Sequence, residues 1–331
     1  MRVAVLGGTR FIGRALVKEL AAAGHELLLV HRGRHEPDDL PPAEHLHAER
    51  NDLPSRAADL RAFGPDAVVD TASMTQALAE AALTAAPTDV RLLVVSSMDV
   101  YRAFSGVWSA RITDAVPLGE DSPLRTQPPP DVPPRSPGWD FDLARYEKLD
   151  VERAYLARGG TVCRIPAVYG EHDYQHREEF ILRRVRAGRD RIPFGDGGWL
   201  FSRGHVGEIA RGLRLALETE AAAGQVLNLC ESRCAPIGLW AEQILRAAGH
   251  QAELVRVPDA VLPQDLAITG SIPQPMLADP SKAHRLLGWE HGPVEDAVER
   301  SVRWHLQHPP DGSGDFADDD RALAQAAAAA G

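Results

Sequence analysis

The sequence has few cysteines and no long hydrophobic run. Its three cysteines, Cys163, Cys230 and Cys234, are an odd number and lack the paired Cys-x-x-Cys spacing of many zinc sites. They argue against a disulfide framework and favour a reducing compartment. No apolar run approaches the roughly 20 residues that span a bilayer, and the first one is too short for a signal peptide. We therefore expect a cytoplasmic protein without a membrane segment.

Lysine is also scarce, since Lys18, Lys148 and Lys282 are the only three and arginine supplies most of the positive charge. A lysine retained in such a background marks a place that needs a compact ammonium group, although three lysines also persist by chance. The formal net charge of -11 argues against general affinity for nucleic acid or an anionic membrane. We expect a small-molecule substrate and a monomer or homodimer.

Short apolar runs alternate with helical periodicity along the chain. Strands are predicted at 26–30, 44–47, 67–70, 91–96 and 161–164, with helical stretches such as 53–63 and 76–86 between them. Alternating β and α elements predict an α/β fold with a doubly wound parallel sheet of the Rossmann type. Ligands bind such sheets at the carboxyl ends of the strands.

The first apolar run, residues 3–6, leads into a glycine turn and an amphipathic helix. This order is typical of the phosphate-binding end of a dinucleotide fold, because glycine lets the backbone approach a pyrophosphate. The alternative is a glycine turn needed only for packing. The predicted cofactor contacts here are Gly7, Thr9, Arg10, Phe11, Ile12 and Gly13.

Residues 1–168 with about 203–232 are predicted to form the NAD(P)-binding domain, and 169–202 with 233–310 a smaller substrate domain. Eight prolines lie between Pro117 and Pro137. We interpret 117–140 as an active-site lid, with a linker as the alternative. The acidic and alanine-rich residues 311–331 are predicted to be disordered.

Three further segments carry a family resemblance. Residues 94–101 contain S-S-x-x-V-Y, residues 163–170 resemble R-P-x-x-V-Y-G, and residues 279–289 resemble D-x-S-K-A…L-G-W. With the glycine turn, these motifs resemble the extended short-chain dehydrogenases/reductases, the NAD-dependent epimerase/dehydratase family, over roughly residues 1–305. The Gly-Gly-Thr-Arg-Phe-Ile-Gly form of the turn is typical of an atypical branch, several of whose members have divergent active sites.

The resemblance implies an active site of serine, tyrosine and lysine. Ser97 matches the serine that orients the carbonyl, although a strand-end hydroxyl is the alternative. Lys148 matches the lysine that holds the nicotinamide ribose, because Glu152 follows it by four residues. The tyrosine position is then Ala144. Tyr146 lies only two residues from Lys148, which on a helix places the two on nearly opposite sides.

The usual tyrosine–lysine pair is therefore predicted to be broken, with Asp99 or Tyr146 as the candidate proton donor or orienting group. A reductase tolerates this loss better than an epimerase, since general acid catalysis typically contributes about 10² to 10⁴-fold.

The cofactor is predicted to be NADP(H) rather than NAD(H). The end of the second strand reads His31, Arg32, Arg34, with no acid before Glu36, and Arg10 lies in the nearby turn. An acid there binds the ribose 2′-hydroxyl of NAD, whereas arginine suits a 2′-phosphate. The resemblance adds further cofactor contacts at Asn51, Asp52, Ala72, Ser96 and Pro166.

Candidate substrate contacts are Met98, Trp108, Trp139, His172 and His176. The two histidines suggest a metal site, but nothing else near them has ligand spacing, so no metal is predicted. The five arginines between 183 and 191 are interpreted as a solvated helical face; binding of a substrate phosphate or RNA is the alternative.

These features predict an NADPH-dependent reductase of a ketone on a small molecule. A proline-rich lid with tryptophans near its ends suits a flat, aromatic ligand. The pattern also resembles atypical reductases of antibiotic biosynthesis that lack the usual tyrosine, including angucyclinone ketoreductases, and this resemblance implies an aromatic polyketide as the substrate. One alternative is a nucleotide-sugar epimerase or dehydratase with bound NAD. The other is a non-catalytic NADP-binding or RNA-binding regulator.

Overall fold

The computed structural model describes residues 1–127, 145–312 and 314–330. Within them lies a seven-stranded, fully parallel sheet. Its strands are β1 (Arg2–Leu6), β2 (Glu26–His31), β3 (Glu44–His47), β4 (Ala67–Asp70), β5 (Arg91–Ser97), β6 (Thr161–Ile165) and β10 (Val226–Asn228). Their order across the sheet is β3-β2-β1-β4-β5-β6-β10. The strands β2 and β3 therefore lie on one side of β1, and the later strands, from β4 onward, lie on its other side.

The strands form where near-continuous apolar runs can be buried on both faces of a parallel sheet. All five strands predicted between residues 26 and 164 are confirmed, and so is the doubly wound α/β fold. The predicted helix at 53–63 is correct only from residue 57. Residues Arg50–Arg56 form a 3-10 helix that contains Pro54, which cannot donate an interior helical hydrogen bond.

Helices cover both faces of the sheet. The α helices that enclose it are α1 (Phe11–Ala22), α2 (Ala57–Phe63), α3 (Gln76–Ala85), α5 (Lys148–Leu156) and α7 (Val206–Glu218). On one face α1 and α7 pack over residues such as Val5 and Leu93, and on the other α2, α3 and α5 enclose a separate core. The carboxyl ends of β1, β4 and β5 remain at one edge of this sandwich.

A second group of elements packs beyond the carboxyl ends of β5 and β6. It comprises the helices α4 (Arg102–Ser109), α6 (Glu179–Arg186), α8 (Ile237–Ala247) and α10 (Val294–Gln307), and the strand pairs β7 (Ala167–Tyr169) with β9 (Arg203–His205) and β8 (Arg191–Phe194) with β11 (Glu253–Arg256). The helix α9 (Ser281–Leu287) instead packs against α7 and β10, in the core beside the sheet. The core of the second group includes Trp240 and Phe180 and extends to Tyr101, just past β5. The candidate site lies where this core meets the sheet.

The C-terminal segment corrects the prediction of disorder. Ala317–Ala330 forms a helix, α11. Arg184, expected on a solvated face, is instead fully buried and pairs at 2.7 Å with the fully buried Asp319 of α11 and with Asp265. The composition of this segment did not predict the helix, because the segment is mostly polar and alanine-rich. The helix is held instead by one buried ion pair and by the apolar side chain of Leu323.

The described half of the proline-rich insertion is tied to the sheet. The Leu118 N–H donates to Leu277 O at 2.7 Å, and Glu120 accepts from the N–H of Asn228 at the end of β10. Residues 128–140 of the predicted lid, including Trp139, lie outside the described residues, as does Ala144. In the part of the chain that is described, no helix has the length and apolar character to cross a membrane.

Candidate active site

The turn after β1 requires glycine at two positions. Gly7 has φ +96°, and a Cβ there would lie 2.8 Å from Thr71 Oγ1 and 2.9 Å from Ala72 Cβ. A Cβ on Gly13 would lie 2.1 Å from Gly7 O. These contacts press α1 against the strand ends. Ala72, predicted as a small residue beside the cofactor, therefore lies against the turn.

The N-terminus of α1 suits an anion. Arg10 precedes the helix without a side-chain capping hydrogen bond, and the first turn contains no acidic residue. The first N–H groups of a helix have no intrahelical acceptor and favour negative charge. The side chains of Thr9 and Phe11 are buried, Phe11 against Tyr174, so these residues can offer a cofactor only their backbone.

Three predicted guanidinium groups lie close together at the end of β2. Burial lowers the pKa of Arg32, and the charges of Arg34 and Arg10 lower it further, against the opposing effect of Glu49. Arg34 pairs with Glu49 at 2.6 Å. Crowded positive charge of this kind favours a bound anion with two negative charges, as a 2′-phosphate carries.

His31 does not offer its ring to this region as predicted. Its side chain is buried, with Nε2 2.8 Å from His45 Nδ1, and its Nδ1 accepts from the N–H of Gly33. The adjacent strand β3 supplies the contact with His45, which the order of residues along β2 does not show.

After β3, Asn51 and Asp52 are exposed, so both remain accessible to a ligand. Arg50, which sequence reasoning missed, turns inward and donates to Asp70 Oδ2 at 2.6 Å and to Ser73 Oγ at 2.8 Å. Together with the hydroxyl of Tyr155, it keeps the pKa of the fully buried Asp70 low despite burial. This network fixes the chain directly after β4.

Lys148 is the first residue of α5 and is 3% exposed. Its Nζ donates to the carbonyl oxygens of Ser73 at 2.6 Å and Val95 at 3.0 Å, at the ends of β4 and β5. Burial lowers the pKa of Lys148 to about 8, although the charges of Asp70 and Asp99 act in the opposite direction. Lys148 therefore lies where two central strands end.

Tyr146 reaches the same place, which helical spacing did not predict. It precedes α5, and Glu147 between it and Lys148 has extended backbone angles, φ -153° and ψ 95°. The helical argument against Tyr146 therefore does not apply. Its hydroxyl donates to Asp99 Oδ2 at 2.6 Å, and Ser97 Oγ, which lies beside this pair, accepts from the backbone N–H of Asp99 at 3.2 Å.

Burial is the main influence on the pKa values of Asp99 and Tyr146. It raises the pKa of Asp99, against the stabilising contacts from Tyr146, Arg125 and Lys148. Burial also raises the pKa of Tyr146 well above its usual value, and the charge and hydrogen bond of Asp99 raise it further. Tyr146 is consequently held as a neutral hydroxyl. The arrangement holds a transferable proton beside Ser97.

Arg125 and Glu147 hold these residues in place and were missed from the sequence. The guanidinium of Arg125 makes two hydrogen bonds to the Glu147 carboxylate, at 2.6 and 2.7 Å, and a third to Asp99 O at 3.1 Å. Glu147 in turn accepts from Leu149 N at the start of α5. The only sequence signal was a charged residue within a proline-rich segment.

Two predicted side chains are committed to the interior instead. Ser96 is 1% exposed and donates to Glu152 at 2.6 Å, within the buried Glu152–Arg164 ion pair. Because successive side chains of a strand point to opposite faces of the sheet, Ser97 lies at the site and Ser96 does not. Met98 is 6% exposed and packs in the core of the second part of the molecule.

The remaining predicted residues lie around the site. Pro166 is half-buried between β6 and β7. Trp108, also half-buried, contacts Phe104 edge-to-face, with centroids 4.8 Å apart, and Phe104 contacts Phe201. These rings form an aromatic surface on and beside α4.

His172 and His176 lie elsewhere. Both have left-handed backbones, with φ of 66° and 48°. His172 contacts Trp304 of α10 and lies 3.3 Å from an Arg14 nitrogen on α1, and His176 packs against His305. Their described contacts therefore join the segment after β7 to α1 and α10, rather than to Ser97 or Tyr146.

Solved structures share this fold at low sequence identity. UDP-glucose 4-epimerase from Thermotoga maritima has a TM-score of 0.69 and 17% identity over 94% of this chain and 100% of that chain. The structure of MoeE5 with UDP-glucuronic acid and NAD gives a TM-score of 0.65 and 22% identity, over 93% and 100%.

Relatives by sequence carry diverse names. The chloroplast stem-loop binding protein of 41 kDa b from Arabidopsis thaliana is 27% identical over 319 residues, covering 90% of this chain and 76% of that protein. A 3-diazoavenalumate denitrifying reductase from Streptomyces sp. is 25% identical over 93% of this chain and 97% of its own length. The 2'-dehydrokanamycin reductase of Streptomyces kanamyceticus is 26% identical over 78% and 70%.

The family model of the NAD dependent epimerase/dehydratase family matches residues 3–230, from β1 to the end of the central sheet. This match covers the glycine turn, Ser97, Asp99, Tyr146 and Lys148. The chain belongs to the NAD-dependent epimerase/dehydratase family.

Proposed function

We propose that this protein is an NADPH-dependent reductase of a ketone on a small molecule. The observation that carries the proposal is the Tyr146 hydroxyl held 2.6 Å from the half-buried Asp99 carboxylate, beside Ser97 and Lys148. Two of the relatives described above are named as reductases, and one of these names specifies a dehydro sugar antibiotic as the substrate.

The residues present suit a dinucleotide. The turn at Gly7 and Gly13 and the uncapped start of α1 would hold the pyrophosphate. Arg10, Arg32 and Arg34 would face the 2′-phosphate, and Lys148 the nicotinamide ribose. When bound, the nicotinamide supplies the hydride.

The protein's own residues then manage one proton. When Asp99 is protonated, its O–H can donate to Tyr146, which frees the Tyr146 O–H to donate to the substrate oxygen. Tyr146 gives its proton to that oxygen and receives the proton of Asp99, so that Asp99 ends as the carboxylate. Ser97 orients the carbonyl, since its hydroxyl lies against both groups.

This electrostatic arrangement favours reduction over oxidation. An epimerase must first remove a proton from an alcohol, for which an ionised tyrosine is the usual base in this family. Burial and the adjacent Asp99 raise the pKa of Tyr146, which disfavours ionisation near neutral pH. A hydroxyl that stays protonated is suited to donate to a developing alkoxide.

The aromatic surface of Phe104, Trp108 and Phe201 supports a substrate with a flat face, such as an aromatic polyketide. The relative named for 2'-dehydrokanamycin supports a keto sugar instead. Both substrate classes present a ketone.

The test is to follow deuterium from [4-²H]NADPH, in both stereospecific forms, into a panel of aromatic polyketide ketones and keto sugars. We expect stoichiometric transfer from one form only, and a higher kcat/KM with NADPH than with NADH. Arg32→Ala should remove most of that preference. Epimerisation of nucleotide sugars without net cofactor consumption would contradict the proposal, and binding without turnover would favour a regulator. Equal efficiency with both nucleotides would refute the NADPH preference.

A further inference from the structure

The outer edge of the sheet collects three histidines that the candidate active site does not use. The register of β2 and β3 pairs His31 with His47 and Leu29 with His45. Side chains two residues apart on a strand share a face, so the three imidazoles lie on the same side. The loop that leaves β2 returns Glu36 to this group.

The four side chains converge at short distances. His31 Nε2 lies 2.8 Å from His45 Nδ1, and His47 Nε2 lies 2.7 Å from Glu36 Oε1. The two pairs are joined by a distance of 3.9 Å between His31 Nδ1 and Glu36 Oε1. One donor atom from each residue lies within 4.8 Å of all the others.

We propose that His31, Glu36, His45 and His47 form a binding site for one divalent transition-metal ion of the Zn²⁺ type. Three imidazole nitrogens and one carboxylate oxygen are a complete tetrahedral ligand set for zinc. Bonds of about 2.0–2.2 Å place tetrahedral ligand atoms roughly 3.3 Å apart. On metal binding, the ligand atoms of the pairs His31–His45 and His47–Glu36 therefore have to move slightly apart. The longer distances between the two pairs have to become shorter.

The mobility of the ligands allows this adjustment. The side chains of Glu36 and His47 are 42% and 57% exposed, so both can rotate without disturbing a core. Only His31 is buried, and it fixes the position of the site. Binding through His31 Nε2 needs the tautomer with its proton on Nδ1, which gives up the hydrogen bond from the exposed Gly33.

The ion would fasten the loop of residues 32–43 to the sheet edge. Glu36 is the ligand within that loop, and the other three come from the strands on either side of it. The strands β1 and β4 separate this site from β5 and Ser97, so the inferred role is structural. The inference does not depend on the proposed reductase activity, and metal binding can be measured without substrate or nucleotide.

The test is a titration of chelator-treated protein with Zn²⁺ against a chromophoric competitor, followed by Co²⁺ as a spectroscopic probe. We expect saturation at one ion per chain, the intense visible absorption of tetrahedral Co²⁺, and a rise in the thermal unfolding midpoint with Zn²⁺. The double variant His45→Ala/His47→Ala should lose all three. Glu36→Gln should weaken binding on its own.

Two controls distinguish this site from adventitious surface binding. Glu44→Gln removes a carboxylate on the same strand outside the cluster, and His308→Ala removes an exposed imidazole at the end of α10. Both should keep full stoichiometry. Absence of stoichiometric Zn²⁺ binding would overturn the inference. So would binding that survives the double variant, provided that far-UV circular dichroism shows both proteins folded.

Discussion

At the scale of single residues, the candidate site depends on a hydroxyl and a carboxyl that are joined by one hydrogen bond. Tyr146 and Asp99 come from segments 47 residues apart, and their hydrogen bond is partly buried. In a site of low polarity such a pair is strongly coupled, so each side chain sets the protonation of the other. Removing either one should change the chemistry more than the fold.

The substitution Tyr146→Phe tests this directly. It removes the hydroxyl that would donate to the substrate and leaves the ring in place. We expect kcat to fall by about 10² to 10⁴-fold, the usual contribution of general acid catalysis, with a much smaller change in the Kd for NADPH. Steady-state turnover and fluorescence titration of NADPH measure the two effects.

The matched control is Tyr155→Phe, which also removes a tyrosine hydroxyl that donates to a buried aspartate, Asp70, at 2.7 Å. Tyr155 lies inside α5, away from the proposed proton path, so its loss should reduce stability but leave kcat within a few-fold. An unchanged kcat in Tyr146→Phe would mean that another group supplies the proton.

At the scale of elements, α11 is held by a buried ion pair rather than by a broad apolar face. Arg184 and Asp319 are both fully buried, and Arg184 also binds the half-exposed Asp265 and Phe180 O. Loss of one member leaves the other charged and buried, which typically costs about 3–5 kcal/mol. Asp265 remains, so we expect Asp319→Ala to lower the free energy of unfolding by about 3 kcal/mol, near the lower end.

Chemical denaturation of Asp319→Ala checks this, together with limited proteolysis at the C-terminus. Asp318→Ala is the control, because the Asp318 side chain is 61% exposed and pairs with the exposed Arg321. Exposed pairs contribute about 0–1 kcal/mol, so this neighbour should be nearly neutral. Equal effects of the two substitutions would show that α11 is not anchored through Arg184.

These elements also show what sequence reasoning can reach. The central strands were predictable because apolar runs of their length are stable only when buried on both faces. Ser97 and Lys148 followed from motifs at the ends of such elements. Tyr146 was misjudged because its position depends on where α5 begins, and Arg125, the three-histidine cluster and the helix α11 depend on partners distant in the chain.

At the scale of the whole molecule, Glu178 joins the segment after β7 to α10. It is 1% exposed, accepts a hydrogen bond from Ser301 Oγ and lies 3.7 Å from His305 Nε2. Burial, together with the negative charges of Asp173 and Glu171, raises the pKa of Glu178 to about 8, although the hydrogen bond from Ser301 acts in the opposite direction. The folded protein therefore holds this proton well above pH 4.5, where an unfolded chain would release it.

A group whose pKa is raised by folding stabilises the protein fully at low pH, and this contribution is lost as pH rises through the folded pKa. For Glu178 the loss extends from about pH 4.5 to about 8. His172 and His305 act in the opposite direction below about pH 6.5, because burial lowers the pKa of each to about 4. Between pH 6.5 and 8 these two histidines no longer change their charge, and a variant that lacks the Glu178 carboxyl isolates the contribution of that group.

We expect the temperature at the midpoint of unfolding to decrease as the pH rises from 6.5 to 8. The substitution Glu178→Gln should make this decrease smaller. Glutamine keeps an acceptor for Ser301 but has no proton to release. Glu179→Gln, which changes the adjacent half-exposed carboxylate paired with Arg186, should leave the pH dependence as it was. Thermal unfolding of the parent protein and of the two variants, measured from pH 6.5 to 8, tests this prediction. If the variant at 178 kept the same slope as the parent, Glu178 would already be ionised in the folded protein, and the contact between its segment and α10 would not depend on its proton.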